Sequence, residues 1–108
     1  MPIDWQQVGT DVKTAVLQVL GNSWQTVSTA AGPQLEAMVS IGQSIEQSNA
    51  AGTLTKIEYQ SLRSMEKNAL EGILSSYAAV TIVVAEQAAD AAWSVVSQAL
   101  LKAGLAFA

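Results

Sequence analysis

Residues 72–85 read GILSSYAAVTIVVA, fourteen positions without a charge, and EQAAD follows at once over 86–90. How this stretch folds decides the architecture of the chain. Placed on a helix at about 100° per residue, Ile73, Leu74, Tyr77, Ala78, Ala79, Val80, Ile82, Val83, Val84 and Ala85 fall on every side of it, and a helix apolar all round belongs in a large core or a membrane. Its surroundings favour a helix. Between Thr55 and Ala103 there is no proline and Gly72 is the sole glycine, while Ala, Leu, Glu, Gln and Lys abound. The sequence therefore predicts one helix from about 56 to 103, on the order of 70 Å long at ~1.5 Å per residue.

Working upstream, NAAGTLTKIEY over 49–59 is the clearest punctuation in the chain. Asn49 and Gly52 suit a helix C-terminus, and Thr55 with Glu58 has capping-box spacing, in which hydroxyl and carboxylate each satisfy a free backbone N–H. A short connection over 51–54 makes its flanking helices antiparallel neighbours. Before it, Trp5, Val8, Val12, Val16, Val19, Leu20 and Val27 share one apolar stripe. The stripe keeps its phase across Gly21, which predicts continuity there. AGPQLEA places a kink at Gly32–Pro33, since proline suits a first helical turn. Leu35, Met38, Val39, Gly42 and Ile45 carry the pattern to about residue 50. The expected fold is all-α: a single domain over 1–108 forming a long antiparallel helical hairpin, its first arm about 4–50 and its second about 55–104.

One antiparallel arm covers one side of the 72–85 helix, so the remaining sides need another cover. The expectation is a homo-oligomeric helical bundle whose interface uses Ile73, Leu74, Tyr77, Val80, Val83, Val84, Trp93, Val96 and Leu100. Ala78, Ala79, Ala85, Ala88, Ala89, Ala91 and Ala92 would let helices approach closely. A bilayer fits less well. The uncharged run rises about 21 Å against roughly 30 Å of hydrocarbon. Extending it to Leu101 places Glu86 and Asp90 near mid-span, at a cost on the order of 5–7 kcal/mol. A compact four-helix monomer would need a sharp break between Thr55 and Ala103, and Gly72 is the glycine on offer.

Composition narrows the chemistry. Half of the 108 residues are hydrophobic, 13% are charged, and five bases against nine acids leave a net charge of −4. Five scattered bases make no stripe for neutralising phosphates, so no nucleic-acid partner is expected. With no Cys and no His, thiolate chemistry, His-based metal sites and His-dependent triads are excluded, and no cofactor is expected. MPIDWQQVG at the N-terminus has no basic region leading into an apolar one, so a secretory signal is not predicted.

Glu86 and Asp90 lie four apart on one helical face. They could bind a divalent cation or do acid–base work only with acids from another chain, and they read more simply as a solvated strip. Ser64 and Lys67 are spaced for a Ser–Lys nucleophile, but Arg63 with Glu66 and Lys67 with Glu71 read as helical ion pairs. Trp5 divides between core and contact, and Trp93, among Ala and Ser, is assigned to an interface. The apolar tail LLKAGLAFA is expected to dock on another surface. In size and outline the hairpin is similar to the small secreted hairpin proteins with a Trp-x-Gly turn. Here the turn reads AAGTLT and the tryptophans precede QQ, QT and SV, so the motif that defines that group is absent. The function expected is a non-enzymatic structural or scaffolding subunit that self-assembles. The alternatives are a membrane-active helical protein and a small adaptor for a partner helix.

Overall fold

The structure is a computed structural model and describes residues 3–106. Asp4 opens α1 (Trp5–Leu20): its carboxylate accepts the Gln7 N–H at 3.1 Å, satisfying one of the free donors of a helix start. Val8, Val12, Val16 and Leu20 are its buried stripe. After a single 3₁₀ turn over Gly21–Ser23 comes α2 (Trp24–Ala50), which buries Val27, Ala31, Leu35, Met38, Gly42 and Ile45. Gly52, at φ 74°, ends α2 by letting the Thr53 N–H return to Ser48 O at 2.9 Å. Thr55 then caps α3 (Lys56–Ser75), its hydroxyl oxygen accepting the Glu58 N–H at 3.1 Å. The Glu58 carboxylate answers to the Thr55 hydroxyl, 3.1 Å away. A six-residue loop, 76–81, leads into α4 (Ile82–Lys102), and among the described residues there is no strand.

The four helices run up-down-up-down. Trp5 at the start of α1 donates its Nε1–H to Glu46 near the end of α2 at 2.9 Å, so the two helices are antiparallel. Gln34 of α2 donates to Glu66 of α3 at 3.3 Å, and Lys67 of α3 pairs with Asp90 of α4 at 2.6 Å. The end of α4 lies beside the start of α1, around Asp4, Val8, Gln98 and Lys102. This last seam, α1 on α4, is the most extensive, and α2 also reaches α4 across the core. The Ala face of α4 explains the closeness: Ala85, Ala88, Ala89 and Ala92 are all buried. Gly42 marks another tight approach, because an added Cβ would come within 2.7 Å of the Trp5 ring and 2.9 Å of Val96.

Three sequence expectations are corrected here. The second arm is not one helix from 56 to 103. It breaks over 76–81, inside the uncharged run but beyond Gly72, at residues that include neither glycine nor proline. The Ser76 hydroxyl donates to Ile73 O at 2.7 Å and the Ser75 hydroxyl to Gly72 O at 3.4 Å, drawing carbonyls away from the helical ladder. Thr81 then starts α4 in extended backbone, its Oγ1 accepting the Val84 N–H at 3.2 Å. Between them Val80 is buried and pins the loop to the core. The run is apolar on every side because it is the end of one helix, a loop and the start of another.

The first arm bends at Gly21, not at Gly32–Pro33. Gly21 has φ 55° and ψ −129°, open to glycine and strained for other residues, and the chain reverses there. The phase match across Gly21 gave no direction, since both helices face the same core. Pro33 lies within α2 on its exposed side, while buried residues before and after it hold one continuous face. Burying a Leu, Val or Met side chain contributes about 1.5–3 kcal/mol, and several such residues offset the roughly 3 kcal/mol of an interior proline.

The third correction follows from the first two. The long hairpin becomes a bundle closed by four helices of one chain, measuring 43 × 25 × 18 Å. Its radius of gyration of 13.7 Å is close to the roughly 13 Å expected of a compact chain of about this length. Of the tail expected to dock, Leu105 does so on its own bundle: Gly104, at φ 101°, turns it back so that its N–H meets Leu100 O at 3.0 Å and its side chain is buried, while Phe107 and Ala108 lie outside the described residues.

Candidate interaction surface

The topology sets two uncharged segments side by side. Residues 14–35 and 72–85 contain no Asp, Glu, Lys or Arg. In the up-down-up-down arrangement the Gly21–Ser23 turn and the 76–81 loop lie at the same end of the bundle. Neither segment brings a formal charge to that end, and the nearest acids, Glu71 and the exposed Glu86, lie about one helical turn from it. Ile82 and Val83, in the first turn of α4, are 69% and 61% exposed there. Ile73, Tyr77 and Trp24 are half-buried beside the core, and Asn22, Ser76, Ala79 and Thr81 are exposed. The surface is apolar with uncharged hydrogen-bonding groups between its apolar residues.

The other large exposed apolar residues stand beside polar or charged residues along the chain. Ile57 lies between Lys56 and Glu58, Met65 between Ser64 and Glu66, and Leu101 precedes Lys102. Single apolar residues among polar ones are ordinary protein surface. The opposite end of the bundle carries Asp4, Glu46, Lys56, Glu58 and Lys102, so the two ends differ in kind.

Most of the interface expected from the sequence is covered by the chain itself. Leu74, Val80, Trp93, Val96 and Leu100 lie in the core, and Ile73, Tyr77 and Val84 are half-buried against it. Of that set Val83 alone is largely exposed. Trp93, assigned to an interface from its small neighbours, is 3% exposed. Its ring packs 6.1 Å from that of Tyr59, and its Nε1–H donates to the Tyr59 hydroxyl oxygen at 3.2 Å.

The charged side chains also pair differently from their spacing along the helix. Lys67 crosses to Asp90 instead of turning to Glu71. Glu86 remains exposed one turn away. Among the described residues no three Asp, Glu, His or Cys gather as a metal group. Ser64 is exposed, and Lys67, three residues on, is engaged by Asp90 on α4. Glu66 turns inward to Gln34 rather than outward to Arg63, whose guanidinium lies over the Tyr59 ring at 6.0 Å. Burial pushes the Glu66 carboxyl above its ordinary value of 4.5, against the opposing effect of the Gln34 hydrogen bond. Glu66 and Tyr59 had a signal in the sequence: with Leu70 and Leu74 they make a stripe at spacings of seven, four and four.

Between α1 and α2 runs an open groove of about 620 Å³, with Leu35, Val39 and Trp24 among its lining and Lys13 and Glu36 beside them. None of its polar lining residues is buried. Among the described residues no helix is long and apolar enough to cross a membrane. No protein-family model, curated protein or solved structure matches the chain.

Proposed function

We propose that the protein is a non-enzymatic structural subunit that self-assembles, using the end of its bundle that carries Ile82 and Val83 as the contact surface. The observation that carries this reading is the pairing of Ile82 and Val83, largely exposed, with two chain segments that bring no charge to the same end. Apolar surface at that end is stabilised by removal from water at roughly 25 cal/mol per Å². No ionised group within either segment has to lose its hydration when the end is covered. The non-enzymatic part rests on composition and placement: there is no Cys or His, and the one Ser–Lys spacing noted has its lysine engaged by Asp90. The wider Ala- and Val-rich face expected to meet other subunits serves instead to close the bundle internally, which confines the contact to one end.

Sedimentation velocity over a wide concentration range tests the reading. The expected result is a species heavier than the 11.3 kDa chain that grows in with concentration. A single species of monomer mass at every concentration would refute it.

A further inference from the structure

Closing the bundle leaves the second arm one apolar end, and it leaves the first arm an open side. Going beyond the end contact, with which it shares only self-assembly, we infer that the groove between α1 and α2 is a further contact surface, covered face to face by a second copy of this chain about a twofold axis along the groove. Charge selects both the copy and the axis. Lys13 on α1 and Glu36 on α2 line the groove from its two walls, and among the described residues neither has an ion-pair partner. Asp4 and Asp11, the acids of α1 and its cap, lie on the α4 side, and residues 14–35 bring no charge. Trp5 against Glu46 sets the register of the two helices. From that contact Lys13 lies eight residues along α1 and Glu36 ten residues back along α2, which places them at heights of ~12 and ~15 Å. A twofold axis along the groove preserves height and lays each α1 opposite the other copy's α2. Lys13 of either copy then faces Glu36 of the other, and the pairing is made twice. A twofold axis across the helices instead sets each of these charges opposite its own kind or opposite nothing.

Shape and area agree with this assignment. Gly9 and Gly32 line opposite walls, each in ordinary helical backbone, and an added Cβ would meet nothing within 4 Å at either. Glycine weakens a helix interior, and the chain's own packing does not call for it at these two places. A facing helix that comes close does. Leu35 on the groove floor, with half-buried Trp24 and Val39 beside it, supplies apolar surface to cover. A long side of the 43 × 25 × 18 Å bundle offers at most about 800–1,100 Å² per copy, roughly 1,600–2,200 Å² in all, against the ~1,200 Å² at which stable interfaces begin. Hydrocarbon in the groove would leave Lys13 and Glu36 without partners, whereas a copy supplies both. The contact uses the same patch on each copy and closes at two.

Sedimentation of the full chain carrying Val83→Lys, which puts a charge on the Ile82–Val83 end, isolates the groove. A dimer at twice the 11.3 kDa chain mass is expected to remain. Added to that variant, Lys13→Glu and Glu36→Lys, both at exposed positions, are each expected to keep the circular dichroism of the bundle while raising the dimer Kd by on the order of tenfold. The two reversals together are expected to restore the affinity. Lys13→Glu makes the chain more acidic and Glu36→Lys less so, and a contact governed by net charge alone would respond to them in opposite directions. Opposite responses, no response, or a double reversal as weak as the single ones would overturn the groove contact. A Val83→Lys protein that is monomeric at every concentration, where the natural chain assembles, overturns it too and leaves the end contact standing. A natural chain that is itself monomeric throughout overturns both, and its flotation with phosphatidylcholine vesicles would assign the apolar surfaces to lipid.

Discussion

Glu66 is an acid placed on a core stripe. It stands seven residues after Tyr59 and four before Leu70, is 7% exposed, and accepts a hydrogen bond from the neutral amide of Gln34. Its carboxyl therefore binds a proton more tightly folded than unfolded, because burial disfavours the anion. The sign of the linkage follows. The contribution from Glu66 is fully present below the ordinary value of 4.5 and is lost as pH rises through the raised folded value. Glu66→Gln keeps an oxygen for Gln34 and removes the charge. It is expected to raise stability to urea at neutral pH, with the advantage shrinking toward zero as pH falls to the ordinary carboxyl range. An equal or lower midpoint at neutral pH would contradict this. Spacing along α3 made this residue's face legible, yet Arg63, three positions earlier, offered a surface partner that the sequence could not weigh against burial. Trp93 shows the same gap. Its Ala and Ser neighbours suggested a bare contact, whereas small neighbours are what let α3 bring Tyr59 over the ring.

Helices α1 to α4 were legible as helical sequence, as was the turn at 51–55, because capping residues and Gly52 act within a few positions of one another. The bends were harder to read. Apolar periodicity reports which face of a helix is buried and says nothing about whether the chain reverses, so a stripe in phase across Gly21 looked continuous. Proline looked like the stronger break, but Pro33 is exposed and its helix is held by buried residues on either side. The 76–81 loop depends on serine and threonine hydroxyls competing for backbone groups, a weaker signal than glycine or proline. These roles can be separated by substitution. Gly21→Ala forces a side chain into the φ 55°, ψ −129° conformation and is expected to destabilise by about 1–3 kcal/mol. Gly32→Ala lies inside α2 with nothing within 4 Å of an added Cβ and is expected to stabilise by about 0.5–1 kcal/mol. Thermal unfolding measures both, and a reversal of their order would return the bend to Gly32–Pro33.

For the whole molecule, the two reversals beyond the 51–55 turn convert a long hairpin with greasy flanks into a body that covers its own core. The apolar surface left in water contracts accordingly, from a band along the second arm to one end where Ile82 and Val83 stay exposed. That end could not be seen in the sequence, because the segments that build it are separated by the charged stretch from Glu36 to Glu71 and meet only once the bends are placed. Everything proposed about the surface depends on this closure. Spin labels at Lys56→Cys and Lys102→Cys, in a chain with no other cysteine and diluted with unlabelled protein, measure it by pulsed dipolar spectroscopy. The start of α3 and the end of α4 share one end of the bundle, so the expected separation is within its 25 Å width plus the reach of the labels. A separation near the ~70 Å of one unbroken helix would contradict the account.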